Sequence, residues 1–183
     1  IRDVYKRQVN DLAKILRKRR LEKGSIAFDK VEVRFKLDAD KQPESVYFKM
    51  QKDAHKLIEE IMLLANRTVA AHIAKPRKGH SPKPFVFRIH DRPDPKKILD
   101  FALFVKTFGY NFKTKTTSDI AGSMNALLSE IQGKREENML EQLAIRTMAK
   151  AEYSTRNIGH YGLSFHYYTH FTLSLIHISD GAR

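Results

Sequence analysis

The chain has 183 residues, with 34 Lys plus Arg against 21 Asp plus Glu and a formal net charge of +13. The absence of cysteine excludes a disulfide partner, a thiolate metal site and a cysteine nucleophile. No uninterrupted apolar run exceeds that of residues 61–65, far below the ~18 residues of a membrane span. We therefore expect a soluble, intracellular domain, or part of a larger one, whose excess charge favours nucleic acid as a partner.

The two ends fit no pattern in the rest of the chain. Residues 1–8 and 173–183 resemble translated linker sequence at the ends of reading frames assembled from environmental DNA. We interpret both as non-native linker scars and predict the fold from residues 9–172. The alternative is a pair of natural, weakly structured termini.

A basic amphipathic helix is predicted over residues 9–23, where Leu12, Ile15 and Leu16 recur at helical spacing. Asn10 or Asp11 could cap its start, and Gly24 suits the left-handed position after its end.

A β-hairpin is predicted over residues 31–50. Val31, Val33, Phe35 and Leu37 alternate with charged residues, which is typical of a half-buried strand. The turn-rich stretch 38–45 follows, and the alternation then returns at Val46, Phe48 and Met50.

Residues 51–75 have the period of a long helix. Its predicted apolar stripe consists of Ala54, Leu57, Ile58, Ile61, Met62, Ala65, Val69 and Ile73. On this wheel Glu60 falls on the polar face beside Lys56 and Arg67. Glu59 falls at the margin of the stripe, half-buried, on the flank of His55 and Asn66.

The second half of the chain is predicted to be mainly helical. The proline-rich stretch 76–84 indicates an exposed loop, and 85–90 a short strand. A helix is predicted from Asp94-Pro95 to Gly109, followed by helices over 118–131 and 135–150 that are separated by Gly133. The predicted class is α+β with helices dominant.

Cations and one aromatic residue near the start could bind a strand of nucleic acid. The first helix carries six cations, Arg17 and Arg20 among them, and such a density favours a polyanion that neutralises it. The alternative is a solvated surface. Phe28, after the glycine turn, could stack on a base or simply belong to the core.

Two further groups are candidates for binding. A half-buried Glu59, with Asn66 and His55 as neighbours, could bind a ribose hydroxyl or a hydrated metal, with solvated carboxylates as the alternative. In the string 157–163 the glycines Gly159 and Gly162 allow close backbone approach, and His160 could donate to a phosphate. A purely structural histidine is the alternative. No Walker loop, zinc-spaced set or nucleophile elbow is present in the sequence.

Several strings together resemble one enzyme family. They are Leu16–Arg20 with Gly24–Phe28, Asp53–Glu60 with Met62–Asn66, Phe87–Asp91, Arg146–Met148, Tyr153–Ser154, Asn157–Leu163 and Tyr168–Thr172. In this order they closely resemble the middle of the RNB catalytic domain of the ribonuclease R / ribonuclease II exoribonucleases, and the ribonuclease R branch is the more similar. The expected fold is accordingly the helix-rich central portion of that α+β domain, with a β-hairpin and short strands.

The resemblance implies a cytoplasmic enzyme that hydrolyses RNA processively from a single-stranded 3′ end to nucleoside 5′-monophosphates with Mg²⁺. The metal-binding aspartates of the family lie upstream of Val9. Its Ser-Pro-Ile-Arg-Arg-Tyr string, with a phosphate-binding arginine, follows the position of Thr172, where this chain has Leu173-Ser174-Leu175. We therefore expect no catalytic or metal-binding residue in this chain, and no activity from it alone.

The resemblance also implies roles for individual residues. Phe28 would stack on the terminal bases, and Glu59 or Glu60 would contact the terminal ribose; the alignment favours Glu60 and the helical wheel Glu59. The wall of the site would be formed by Asn157, Gly159, His160 and Tyr161. A stand-alone basic RNA-binding module without catalysis is the alternative function, and a helical DNA-binding protein is a third.

Overall fold

The computed structural model describes residues 2–28, 32–38, 40–49, 52–76 and 83–172. The predictions at Val31, Met50, most of the proline-rich loop and the segment 173–183 lie outside these residues. The elements are, in chain order, α1 Arg2–Glu22, β1 Glu32–Leu37, β2 Pro43–Lys49, α2 Asp53–Ala74, β3 Phe87–Ile89, α3 Pro95–Thr107, α4 Thr117–Glu130, α5 Glu137–Thr147, β4 Glu152–Ser154 and a 3₁₀ turn Tyr161–Leu163. The predicted α+β class with dominant helices is confirmed, and no helix within the described ranges is long and apolar enough to cross a membrane.

Helix α1 begins at Arg2 rather than at the predicted Val9. Residues 2–8 contain neither glycine nor proline, so nothing in them stops the helix from extending, and Asn10 and Asp11 lie inside it instead of capping it. The predicted end is confirmed, because Gly24 has a φ of +92°. The Ser25 N–H donates to the Arg20 carbonyl at 3.1 Å and the Gly24 N–H to the Leu21 carbonyl at 2.9 Å, as in a Schellman motif. The interpretation of residues 1–8 as a linker scar stays a prediction.

The predicted hairpin is confirmed as an antiparallel pair of β1 and β2, in which Phe35 lies opposite Val46. Its expected half-buried face is not observed. The side chains of Phe35, Leu37, Val46 and Tyr47 are all about half exposed. Alternation therefore predicted the strands correctly, but it could not show whether another element covers one face.

The main core lies among α3, α4 and α5, the helices predicted in the second half of the chain. Its largest fully buried side chains are Ile98, Val105, Met124, Ile131 and Leu140. The Asp94 side chain caps α3 by accepting from the Lys96 N–H, and Thr116 and Asp119 form a capping box at α4. A smaller cluster of Ala74, Phe87 and Ile89 joins the end of α2 to β3. Strand β4, which the sequence did not predict, pairs with β3 in antiparallel register.

Helix α2 has the predicted extent, but the predicted apolar stripe is not its buried face. The buried residues are Glu60, Leu63, Asn66, Ala70 and Ala74, whereas Ile58 in the predicted stripe is 56% exposed. The reason is that Arg20 of α1 lies buried against α2 and needs a carboxylate partner. The face of α2 that carries Glu60 is therefore the buried one. Lys14 pairs with Asp53, and further along both helices Arg20 pairs with Glu60. Helices α1 and α2 therefore lie side by side and run parallel.

Candidate functional site

The junction of α1 and α2 is organised around Arg20, whose side chain is only 5% exposed. Its guanidinium binds both carboxylate oxygens of Glu60, with Nη2 on Oε1 and Nε 3.4 Å from Oε2. Nη2 also lies 3.3 Å from Oε1 of Glu59, and Nη1 donates to Ser25 Oγ at 2.8 Å. A charge buried this deeply is tolerated because paired, charge-assisted hydrogen bonds replace its hydration. Arg20, predicted to bind phosphate, is thus committed to two carboxylates.

The burial of Glu59 and Glu60 differs from the prediction of the helical wheel. Glu60, predicted on the polar face, is buried at 3% exposure and paired with Arg20, so that placement was wrong. The Glu59 side chain is 40% exposed. Its neighbours on the same flank of α2 are engaged with other residues, because Asn66 donates to Thr172 Oγ1 at 3.2 Å and His55 accepts from the Lys52 N–H. Of the two carboxylates, Glu59 is the one that reaches solvent.

A chain of hydrogen bonds connects Arg20 with the glycine-containing segment. Ser25 Oγ donates to the Gly162 carbonyl at 3.0 Å, and the Ile26 N–H donates to the same oxygen at 2.9 Å. The Gly162 N–H donates in turn to His90 Nδ1 at 2.9 Å, and His90 Nε2–H donates to the Ala149 carbonyl at 2.8 Å. Residues that are far apart in the sequence therefore form one network.

His90 and Ser25 are site residues that sequence reasoning missed as individual candidates. His90 appeared only within the string Phe87–Asp91 that supported the family resemblance. The available signal was a histidine immediately after a predicted apolar strand, whereas its contact with Gly162 is visible only in the tertiary structure. A Cβ on Gly162 would lie 3.0 Å from His90 Nδ1, so the imidazole would have to shift by a few tenths of an ångström to admit a side chain there.

His160 and His90 form a neutral pair of imidazoles whose ring centroids are 4.9 Å apart. Burial lowers the pKa of His160 to about 3, with the nearby His90 as a second cause, and burial also lowers the pKa of His90. His160 Nδ1 accepts from the Leu163 N–H at 3.3 Å, which assigns the ring proton to Nε2. His160 therefore retains one neutral donor and no positive charge for the phosphate contact predicted from the sequence.

The rest of the glycine-containing segment is shaped by Asn157 and Gly159. Asn157 Nδ2 donates to the His166 carbonyl at 2.9 Å, while its Oδ1 accepts from the Gly159 N–H at 3.0 Å. Gly159 has a φ of +81°, and a Cβ there would meet the Phe165 carbonyl oxygen at 3.0 Å. The Tyr161 hydroxyl is buried and has no hydrogen-bond partner in the part of the chain that the structure describes. Burial raises the pKa of Tyr161.

Phe28 and Arg17 contribute to the core and to a second cavity, respectively. Phe28 is half-buried and packs against the core of α3, α4 and α5, which matches the alternative interpretation of this residue. Arg17 lines a separate cavity of about 660 Å³ together with Lys56 and Glu137. Their predicted contacts with RNA stay predictions, as do those of the other candidate residues.

The described residues do not fit a magnesium ion. No group of three or more His, Asp or Glu side chains among them is arranged to hold a metal. The two adjacent carboxylates, Glu59 and Glu60, already bind the Arg20 guanidinium, and a second cation there would be repelled by it.

Comparison with known proteins gives one consistent family. The model of the RNB domain matches residues 4–174. Ribonuclease R of Aquifex aeolicus is 34% identical over 166 residues, which is 91% of this chain and 23% of that protein. DIS3-like exonuclease 2 of Schizosaccharomyces pombe is 37% identical over 169 residues, 88% of this chain and 18% of that protein.

The fold leads to the same group of proteins. The structure of Mycoplasma genitalium RNase R in complex with ribose methylated single-stranded RNA superposes with a TM-score of 0.75 and 27% identity. The superposition covers 90% of this chain and 25% of that one. The chain thus spans about a fifth of the length of the two curated relatives, at 23% and 18%.

Replacing Gly162 with alanine should destabilise the protein, because the added methyl group would press on the His90 ring, which is held in place by two hydrogen bonds. We expect a loss of about 1–3 kcal/mol in the free energy of unfolding, measured by urea denaturation. The matched control is Gly122→Ala within α4, where a Cβ meets no atom within 4 Å. That change should stabilise the protein by about 0.5–1 kcal/mol, and equal effects of the two changes would contradict the close contact.

The low pKa of His160 should make stability depend on pH. Between pH 6.5 and about 3 an unfolded histidine binds a proton that the folded His160 does not, so the free energy of unfolding falls as the pH falls through this window. Because His160→Gln removes this histidine, we expect the free energy of unfolding of the variant to fall less than that of wild type when the pH is lowered from 7 to 5. The difference should be up to about 2 kcal/mol, measured by urea denaturation. Ile58→Gln, at an exposed position without an ionisable group, should keep the wild-type pH dependence. A variant at His160 with an unchanged profile would refute the assignment.

Proposed function

The chain belongs to the RNB domain family of exoribonucleases, and on that premise we propose that it is the central part of a processive 3′→5′ exoribonuclease. The proposed substrate is single-stranded RNA, and the products are nucleoside 5′-monophosphates. The Mg²⁺ that such an enzyme would use to activate water would be held by residues outside this chain. This metal requirement and a cytoplasmic location are predictions from the resemblance.

The observation that carries the proposal is the convergence of four strings that are distant in sequence. Arg20 with Ser25, Glu59 with Glu60, His90, and the segment 157–163 meet in one hydrogen-bonded network. Each of them belongs to a string that resembles the family. Their convergence in space supports a shared role, because a chance match of isolated strings would not bring them together.

We propose that this network positions one wall of the RNA site and that Glu59 binds the terminal ribose. The Glu59 carboxylate is partly exposed and can accept hydrogen bonds from ribose hydroxyl groups, whereas Glu60 is engaged by Arg20. His160 keeps one neutral N–H donor, and the backbone at Gly159 and Gly162 is held in place. These residues would bind and orient the strand end, and the bond-breaking groups would come from elsewhere in the parent protein. We therefore propose that the 183-residue chain alone does not hydrolyse RNA.

A chimera tests the catalytic part of the proposal. Residues 9–172 would replace the matched segment of a ribonuclease R, and the product would be incubated with 5′-labelled single-stranded RNA and Mg²⁺. We expect stepwise shortening from the 3′ end with release of 5′-monophosphates, while the isolated chain releases none. A chimera that melts cooperatively but leaves the RNA intact would contradict the proposed activity. Mononucleotide release by the isolated chain would contradict its proposed inactivity.

Glu59→Gln tests the ribose contact. We expect the wild-type chain to prefer RNA with a 3′-terminal ribose over the same strand ending in 2′-deoxyribose. A hydrogen bond to a charged group contributes about 1.5–3 kcal/mol, so the variant should lose a preference of roughly tenfold or more in fluorescence anisotropy. Glu44→Gln on the hairpin is the control and should retain it. A preference that survives in Glu59→Gln would exclude Glu59 and return the role to Glu60.

A further inference from the structure

Helix α3 is apolar on more than the side that faces the core. Its buried side chains are Ile98, Phe101 and Val105. Four other large apolar side chains, three within α3 and one at its C-cap, are between 39% and 60% exposed: Leu99, Leu103, Phe104 and Phe108. We call these four residues the outer face of α3. A surface helix has a polar outer side, whereas a helix that is apolar on both sides is typical of one that is covered on both.

The outer face consists of two short rows. Leu99 and Leu103 are four residues apart, so their side chains are neighbours on the helix. Phe104 and Phe108 are also four residues apart, and their rings meet edge to face with centroids 5.3 Å apart. Rows at this spacing form ridges between which the side chains of a second helix can pack.

Exposed lysines of α3 lie at both ends of the leucine row. Lys96 precedes Leu99 by three residues, and Lys106 follows Leu103 by three, so each lysine lies beside the row. Lys97 is exposed in the first turn as well. Within the described part of the chain the structure records no ion pair for any of the three lysines. The carboxylates of a partner would therefore meet cations at both ends of the row.

The charges also distinguish between the occupants that an apolar face can take. A second copy of this chain would bring the same lysines against these ones, and a net charge of +13 on each copy adds to that repulsion. An anionic lipid surface would attract the lysines. However, it would repel the exposed Asp100, which lies between the two rows, three residues before Leu103 and four before Phe104. A protein can place a hydrogen-bond donor opposite this one carboxylate and acids opposite the lysines.

We propose that the outer face of α3 docks an amphipathic helix of another protein, one with apolar residues on the contacting side and aspartate or glutamate on both flanks. The apolar rows would be removed from water on contact, and the lysines would fix the orientation of the partner. The inference goes beyond the proposed function, because α3 lies outside every string that carries the family resemblance and outside the network around Arg20.

Two model peptides test the chemistry of the proposed partner. Each has about 18 residues, enough to form a helix and to cover α3, and carries one stripe of leucines. One peptide has glutamates on both flanks of the stripe, and the other has lysines at the same positions. Binding to the full chain would be followed by fluorescence anisotropy at about 150 mM KCl, where charges more than about 8 Å apart are screened. We expect only the acidic peptide to bind, and either no binding of it or equal binding of both would overturn the proposal.

An uncharged substitution separates docking from the general attraction of an acidic peptide to a basic chain. Leu103→Gln changes the most exposed residue of the outer face, and Ile58→Gln changes a side chain of similar exposure on α2. We expect Leu103→Gln to weaken binding of the acidic peptide by about tenfold or more, and Ile58→Gln to leave it unchanged. Leu99→Gln, in the same row, should act in the same direction as Leu103→Gln. Thermal melts would verify that each variant is folded, and equal effects on α3 and α2 would refute the docking face.

Paired lysine variants test the charged part of the face. Lys96→Gln with Lys106→Gln removes two charges from the ends of the leucine row, and Lys41→Gln with Lys150→Gln removes two exposed charges elsewhere. We expect the first pair to weaken binding of the acidic peptide by about threefold or more relative to the second. Equal weakening would show attraction to the net charge alone and would contradict the proposal.

Three further measurements identify the other occupants. We expect a monomer in sedimentation equilibrium, binding to phosphatidylglycerol vesicles that Leu103→Gln does not change, and binding of the acidic peptide by the chimera with ribonuclease R. A wild-type dimer that Leu103→Gln dissociates would assign the face to a second copy, and vesicle binding that Leu103→Gln weakens would assign it to lipid. A folded chimera that no longer binds the peptide would show that the parent protein itself covers α3. Each of these results would overturn the proposal and leave the exoribonuclease proposal untouched.

Discussion

The buried ion pair between Arg20 and Glu60 is the interaction on which the rest of the site depends. Removing a guanidinium from water costs several kcal/mol, and the cost is offset here by both oxygens of Glu60, one of Glu59 and the Ser25 hydroxyl. These partners come from α2 and from the turn after α1, so satisfying the charge fixes both elements at once. Deleting one member of such a pair typically costs about 3–5 kcal/mol, because the other charge is left buried without a partner.

Hydrogen bonds connect this ion pair with the glycine-containing segment. Ser25 accepts from Arg20 and donates to the Gly162 carbonyl, and Gly162 in turn holds the His90 ring. Both groups are closely constrained, since a side chain on Gly162 would press on the His90 ring and that ring is hydrogen-bonded at both nitrogens. The proposed RNA contacts thus rest on a rigid support that a flexible surface loop would not provide.

The same ion pair gives the two glutamates of α2 different roles. Glu60 is engaged by Arg20 in the interior, while the Glu59 side chain stays 40% exposed. The proposed contact with a terminal ribose therefore belongs to Glu59. In the proposed function the chain would bind and orient the end of the RNA strand, and the reacting groups would lie in the rest of the parent protein.

The sequence by itself determined the elements with local signals. Asp94-Pro95 starts α3, Gly24 ends α1 and alternation predicts the hairpin, because caps, turns and periods depend on neighbouring residues. The separated strings identified the family. Only the tertiary structure decided which face of α2 is buried and that Glu60 lies inside. Apolar periodicity ranks faces by hydrophobicity, yet Glu60 is held by an arginine 40 residues away that no local pattern reveals. The role of His90 was hidden for the same reason, since it depends on a glycine 72 positions further along the chain.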